Sequence, residues 1–168
     1  MVKMVLEDDC LAPAGYVEVK YTGPNPFKAY LITNDQLKRI LGIRKKDIWE
    51  REFRWDLSSD PRGFYARIYA KKKFDGKTAA FAEIEFFGHQ PTDPRKVGSV
   101  TIRIGGRLRT KFGGSTIFTH PKNPLYQLWV RFYFSLFYAK VRRNHLTRCK
   151  NYLMKLRQRY MEVLGIKK

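Results

Sequence analysis

Between residues 47 and 112 the chain alternates apolar and polar side chains in four successive runs, and a two-residue period sustained this long is the pattern of half-buried strands. The run at 47–57 sets Trp49, Phe53, Trp55 and Leu57 against Glu50, Glu52, Arg54 and Asp56, with Arg51 out of phase. The run at 62–73 places Phe64, Ala66, Ile68 and Ala70 opposite Tyr65, Arg67, Tyr69, Lys71 and Lys73. At 78–88, Ala80, Ala82, Ile84 and Phe86 face away from Phe81, Glu83, Glu85 and Phe87. The last run, 97–112, buries Val100, Ile102, Ile104, Leu108 and Phe112 and shows Arg103, Arg107, Arg109 and Lys111. Turn signals separate the runs: Asp60-Pro61-Arg62, Asp75-Gly76 and Asp93-Pro94-Arg95. Strands joined this way predict an antiparallel meander.

A further strand is expected at 15–21, where Val17, Val19 and Tyr21 alternate with Tyr16, Glu18 and Lys20. Asn25 and Pro26 then open a short helix through Phe27, Tyr30 and Leu31, and the Thr33/Gln36 spacing of a capping box opens a second, ended by Gly42. Gly105-Gly106 reads as a bulge in a long bent strand. From Asn123 and Pro124, an N-cap and first-turn pair, helical spacing runs to Gly165, about 40 residues and roughly 60 Å. The expected fold class is α+β: a curved antiparallel sheet of about five strands, two short helices after the first strand, and a long C-terminal helix. One domain, 1–168, is expected, with the sheet and short helices at 12–120 and the basic helix at 121–168.

The chain carries a formal net charge of +19 on 168 residues that are 43% hydrophobic and 15% aromatic. So much like charge opposes compaction by self-repulsion, which points to a polyanionic partner. From Pro121 onward there are 12 Lys and Arg against one acid, Glu162, so +11 of the +19 lies there. Cys10 and Cys149 are too few and too distant in sequence to read as a disulfide framework or a zinc site, which makes a reducing cytoplasm the expected location. The start lacks the apolar stretch and cleavage site of a signal peptide, and the most apolar segment, 125–141, is interrupted by Gln127, Arg131 and Lys140, short of a membrane span.

Two surfaces are candidate RNA contacts. On the sheet, Tyr65, Arg67, Tyr69 and Lys71 beside Arg103, Arg107, Arg109 and Lys111 join stacking rings to cations that pair with phosphate. Glu83 and Glu85, of the same parity on the intervening strand, can instead neutralise Arg67 and Arg103 and leave an ordinary solvated face. On the C-terminal helix, Arg142, Arg143, Arg148, Lys150, Lys155, Arg157 and Arg159 surround a stripe of His145, Cys149, Tyr152, Leu156, Tyr160 and Val163. A solvated helix face would interleave acids for surface pairing, and here only Glu162 is available. The stripe either packs on the chain's own sheet or, at Cys149, Tyr152, Leu156 and Tyr160, forms a dimer seam with a second copy. Catalytic signals are weak: His89, His120 and His145 are scattered, and Gly113-Gly114-Ser115 lacks the Lys-Ser/Thr of a P-loop. No enzyme activity, metal or cofactor is expected.

The element order, strand, helices, meander and long last helix, resembles the helix-grip arrangement of the START-like superfamily, which implies a sheet wrapped around the last helix and in some members a ligand cavity between them. A Lys/Arg-rich composition with few Asn and Gln looks like that of a hyperthermophilic archaeal protein. Within that setting the segments 15–27, GYVEVKYTGPNPF, and 49–56, WEREFRWD, resemble a family of short archaeal proteins without catalytic motifs, that of the archaeal ribosome dimerization factors. The resemblance implies a cytoplasmic homodimer that contacts ribosomal RNA and proteins and bridges or blocks ribosomal subunits, a hibernation role in translation regulation. Two other readings stand beside it. One is a START-like small-molecule carrier or enzyme with a cavity under the last helix. The other is a peripheral membrane protein using Trp129, Phe132, Tyr133 and Phe137 beside Lys140, Arg142 and Arg143.

Overall fold

The computed structural model describes residues 4–112, 124–133, 136 and 138–166. Its elements are β1 (Met4–Asp9), β2 (Tyr16–Pro24), α1 (Lys28–Leu41), β3 (Ile48–Trp55), β4 (Arg62–Lys73), β5 (Thr78–Gln90), β6 (Val97–Phe112), α2 (Pro124–Tyr133) and α3 (Ala139–Leu164). The strands make one antiparallel sheet in the order β3-β4-β5-β6, and the outer edge of β6 is shared end to end by β2, opposite residues 97–105, and β1, opposite 107–112. The expectation of about five strands therefore misses β1, which lies outside the range 12–120 given to the sheet. Glu7, Asp8 and Asp9 are poor strand formers, but here Glu7 pairs with Arg109 and Asp8 with Arg142 of α3, while Asp9, opposite Arg107 in register, accepts from the Leu11 N–H.

The even/odd division of β4, β5 and β6 is as the alternation predicts, with Phe64, Ala66, Ile68, Ala82, Ile84, Phe86, Val100, Ile102, Ile104 and Leu108 all buried on one face. β3 departs from it. Its register slips between Glu50 and Glu52, so Arg51 is the extra residue of a bulge, and the residues on either side change face. Trp49 therefore stands opposite Tyr69 on the open side of the sheet, apart from Phe53 and Trp55, which join Ala66 and Phe64 on the covered side.

A single helix, α1, replaces the two short helices expected. Thr33 and Gln36, which the capping-box spacing placed at a helix start, are buried in its middle. Thr33 serves packing: its hydroxyl donates to the Ala29 carbonyl at 2.8 Å and accepts from the Tyr160 hydroxyl of α3 at 2.8 Å. Gly42 ends the helix as expected, at φ 62°, with its N–H on the Lys38 carbonyl.

α3 lies over the covered face and buries His145, Cys149, Leu153, Leu156, Tyr160 and Leu164. Leu153 and Leu164 take the places expected for Tyr152 and Val163, which are half-buried at the flank. This corrects the dimer seam. Cys149, Leu156 and Tyr160 are packed within their own chain, at 3%, 0% and 0% exposure, and Tyr152 stacks near Phe74 with ring centres 6.3 Å apart. The closest approach is at Gly106, where a Cβ would sit 2.7 Å from Leu153 Cδ1. The expected bulge at Gly105-Gly106 is absent, since β6 keeps register with β5 through both. The irregularity lies on the neighbouring edge, where residues 10–15 pass between β1 and β2.

That crossing brings the cysteines together, and the expectation of two unlinked thiols is overturned. The Cys10 N–H donates to the Gly106 carbonyl at 2.9 Å beneath α3, and Cys10 is joined by a disulfide to Cys149 across 139 residues. Closing so long a loop restricts the unfolded chain by about 5 kcal/mol in the chain-entropy description. Of the helical segment expected from Asn123 to Gly165, α2 and α3 lie among the described residues, while 134, 135 and 137 between them do not. The readings at Gly113-Gly114-Ser115, His120, Asn123 and Phe137, and of the Phe112 and Tyr133 side chains, lie outside the described residues.

The Thr33–Tyr160 contact is directional, which allows a test. Thr33→Val leaves the buried Tyr160 O–H without its acceptor, whereas Tyr160→Phe removes the donor and leaves Thr33 bonded to Ala29. Chemical denaturation is expected to show a loss of about 2 kcal/mol for Thr33→Val and about 1 kcal/mol for Tyr160→Phe; the reverse order would contradict the donor assignment.

Candidate nucleic-acid interface

Register places the side chains of the open sheet face in cross-strand rows. One row reads Glu52, Arg67, Glu85, Arg103 and Glu18 from β3 to β2, alternating in sign at every strand. Arg67 reaches Glu85 at 2.6 Å and Glu83 at 3.7 Å, while Arg103 donates to Glu18 at 2.8 Å. Burial works to lower the Arg67 pKa, but the hydrogen bond and charge of Glu85 outweigh it and hold the guanidinium above its ordinary value. Of the sheet cations expected to meet RNA, Arg67 and Arg103 are thus compensated within the sheet, and Arg109 is paired with Glu7 at 2.6 Å. Glu83 and Glu85 neutralise Arg67 as foreseen; for Arg103 the partner is Glu18, brought alongside by β2. Lys71 lies over the Phe81 ring at 5.7 Å, and Lys111 is exposed.

The expected stacking tyrosines are also engaged. The Tyr69 hydroxyl donates to Glu83 at 2.7 Å and the Tyr65 hydroxyl to Glu85 at 3.4 Å; burial, then the neighbouring carboxylate, raises each phenol's pKa. Tyr65 tilts against Phe87, and Tyr69 is covered by Trp49 in a near-parallel stack of 5.9 Å and 12°.

Beside the charged row the face is hollowed into a groove of about 780 Å³, whose lining includes Tyr16, Trp49, Arg51, Phe81, Gly105 and Arg107. Among these only Arg107 was singled out from sequence. The signal for Trp49 and Arg51 was the phase error at Arg51, which marks the bulge that turns Trp49 outward. The signal for Gly105 was a glycine in an otherwise branched and basic strand. Among the described residues, Arg51 and Arg107 have no carboxylate within 4.0 Å.

On the opposite side of the sheet, the outward surface of α3 carries the second set of cations. Arg142 is not free for a partner, since its Nε donates to Asp8 at 2.7 Å and a second N–H reaches the same carboxylate. That hydrogen bond raises its pKa. Arg159 is bonded to Glu162 at 2.9 Å and to Gln36 at 3.2 Å. Arg143, Arg148, Lys150 and Lys155 are exposed, Arg157 is half-exposed, and among the described residues none of the five has a carboxylate within 4.0 Å. Arg148 also covers the Phe74 ring at 5.0 Å. Arg143, Lys150 and Arg157 recur every seven residues, so they line up along one flank about 10 Å apart.

Among the described residues no three of His, Cys, Asp and Glu are grouped to hold a metal ion. No family model matches the chain, and no curated protein matches it. A solved structure of an uncharacterized protein from Rhizobium leguminosarum aligns over 92% of this chain and 99% of that one, at 5% identity and a TM-score of 0.20, a likeness too slight to carry an argument.

Glu18 on the open face and Asp75 in the turn between β4 and β5 fix the direction of acid sensitivity. The hydrogen bond from Arg103 lowers the Glu18 pKa. At Asp75 burial opposes ionisation, but the N–H groups of Lys77 and Thr78 and the contact with His145 prevail, and its pKa is also lowered. A carboxylate with a folded pKa below its unfolded one contributes stability above the unfolded value and loses it as pH falls through the folded value. The melting temperature is expected to be level near neutrality and to fall as pH drops through and below the ordinary carboxylate range. Glu18→Gln is expected to make that fall shallower; an unchanged acid limb would remove the pair from the account.

Proposed function

We propose that this chain is a non-enzymatic protein that binds structured RNA, in the first place ribosomal RNA, through the outward surface of α3. The observation that carries the reading is the line of Arg143, Lys150 and Arg157, with Arg148 and Lys155 on the other flank, in a segment whose single acid is already engaged by Arg159. Cations without internal partners release counterions when they meet phosphates, giving affinity that is indifferent to sequence and steep in salt. The cytoplasmic, subunit-bridging or subunit-blocking homodimer remains part of the proposal, resting on the resemblance of segments 15–27 and 49–56. Its contact surface is not the α3 stripe, which is buried.

We also read the sheet and α3 as a helix-grip arrangement. The space under the helix at Gly106 is filled by Leu153, with buried Leu156 and Tyr160 following, which speaks against a carrier with its cavity there. The triple variant Arg143→Gln, Lys150→Gln, Arg157→Gln is expected to lower affinity for ribosomal RNA at low salt and to reduce the slope of log affinity against log salt by about 3. An unchanged slope in filter binding, or unchanged sedimentation with ribosomal subunits, would dismiss the helix surface.

One observation favours a second reading, attachment to an anionic membrane surface. Leu125, Leu128, Trp129, Phe132 and Leu136 recur at helical spacing and are 73%, 68%, 68%, 57% and 60% exposed, with Lys140 and Arg143 following. Among the described residues no helix is long and apolar enough to cross a membrane, so attachment would be interfacial. If RNA binding is the role, vesicles containing phosphatidylserine leave the protein in the supernatant; cosedimentation that Trp129→Ser with Phe132→Ser abolishes would establish the membrane reading instead.

A further inference from the structure

We propose that the groove on the open sheet face binds a short single-stranded segment of RNA, separately from the α3 surface; this deepens the RNA reading and rests on it. A second cross-strand row on this face comprises Trp49, Tyr69, Glu83, Gly105 and Tyr16. Gly105 has no side chain, so the floor of the groove is open between Glu83 and Tyr16. On the same face of β6, Arg103 and Arg107 stand on either side of it, each about 7 Å away along the strand.

Their roles differ. Arg103 is held by Glu18 and sandwiched by Tyr16 and Phe87 at 5.1 and 5.3 Å, a fixed wall. Arg107 is exposed; Asp9 of β1 is its cross-strand neighbour and also lines the groove, but it accepts from the Leu11 N–H, and no carboxylate stands within 4.0 Å of Arg107 among the described residues, so its N–H donors are open to a phosphate. Arg51, at the bulge, offers a second such group at the other end, over the Tyr69 ring at 5.9 Å.

Ring surfaces face the same space. Trp49 is 40% exposed and its orientation is set by the stack on Tyr69; Tyr16 is 47% exposed and backed by Arg103. Four strand spacings separate the two rings, about 19 Å, which exceeds one base and admits several. Rings held rigid from behind, with guanidinium groups beside them, are the arrangement that single strands use, because every base has a stacking face while duplex bases are not accessible to it. Glu83 excludes a plain anion site. Its carboxylate accepts from Tyr69 at 2.7 Å, stands 3.7 Å from Arg67 Nε and lines the groove, where a base amino group can donate to it. A ligand with phosphates and amino-bearing bases satisfies both the cations and the acid; an acidic peptide satisfies only the cations.

The test is anisotropy of fluorescently labelled hexa-adenylate and hexa-uridylate at low salt with the full chain. Hexa-adenylate is expected to bind, more tightly than hexa-uridylate, and Trp49→Ala and Arg107→Gln are each expected to weaken it between about fivefold and a hundredfold. Arg107 is exposed, so Arg107→Gln keeps the proposal testable if Trp49→Ala unfolds; melting curves show which has occurred. The triple α3 variant is expected to keep hexa-adenylate binding while losing ribosomal RNA. The groove proposal is overturned if hexanucleotides fail to bind while ribosomal RNA does, if both groove variants bind like wild type, or if a labelled poly-glutamate peptide binds more tightly. Failure of the α3 variant to affect ribosomal RNA would instead count against the function proposed for the helix.

Discussion

Everything in this structure is arranged around the seat of α3 on the covered face of the sheet. At Gly106 the strand has no side chain, and Leu153 descends into the space that a Cβ would occupy, with Cys149 beside it. Three contacts of different chemistry hold the helix there. The Cys10–Cys149 disulfide joins it to the crossing between β1 and β2, Arg142 grips Asp8 of β1, and Tyr160 donates to Thr33 of α1. Each reaches a different element, so the helix organises the edge strands and α1 as much as the sheet organises the helix. Its apolar face is thereby committed, and what remains for other molecules is its basic outer surface.

The same commitment divides the charge. On the sheet's open face Glu7, Glu18, Glu52, Glu83 and Glu85 each stand within 4.0 Å of an arginine, and adjacent pairs of opposite sign stabilise a sheet by modest amounts that partial exposure to water keeps small. The last segment has cations with one acid among them. Of the net +19, +11 lies from Pro121 onward, while the sheet contributes a patterned surface on which the guanidinium groups of Arg51 and Arg107 have no carboxylate within 4.0 Å among the described residues. The Cys10–Cys149 disulfide also removes the ground for a reducing compartment that two unlinked cysteines would have given.

Much of the sheet was legible because strand alternation is local. The parity of Ala66, Ile84 and Ile102 needs only their neighbours to be read, and the bounds of β4 and β6 match those expected. The errors arose where a distant partner overrode a local rule. Thr33 and Gln36 have the spacing of a helix start, yet Tyr160 and Arg159, more than a hundred residues away, hold them in the middle of α1. Arg51 was visibly out of phase, but only the pairing of β3 with β4 shows that the slip is a bulge and that Trp49 is turned to the groove. β1 reads poorly as a strand because Glu7 and Asp8 are unfavourable there until Arg109 and Arg142 pair with them.

What the sequence by itself determined was the two-faced antiparallel sheet, the basic character of the C-terminal helix and the presence of a charged row on the open face, since period and composition are properties of neighbouring residues. What only the tertiary structure decided was which cations remain uncompensated. Arg142 and Arg143 are adjacent and chemically alike, and nothing local separates them; one points toward Asp8 and is neutralised, the other points to solvent. The same holds for Arg103 and Arg107, of which the first meets Glu18 on β2. Ion pairing depends on distances of a few ångströms between residues far apart in the chain, and those distances exist only once the strands are in register and α3 is seated.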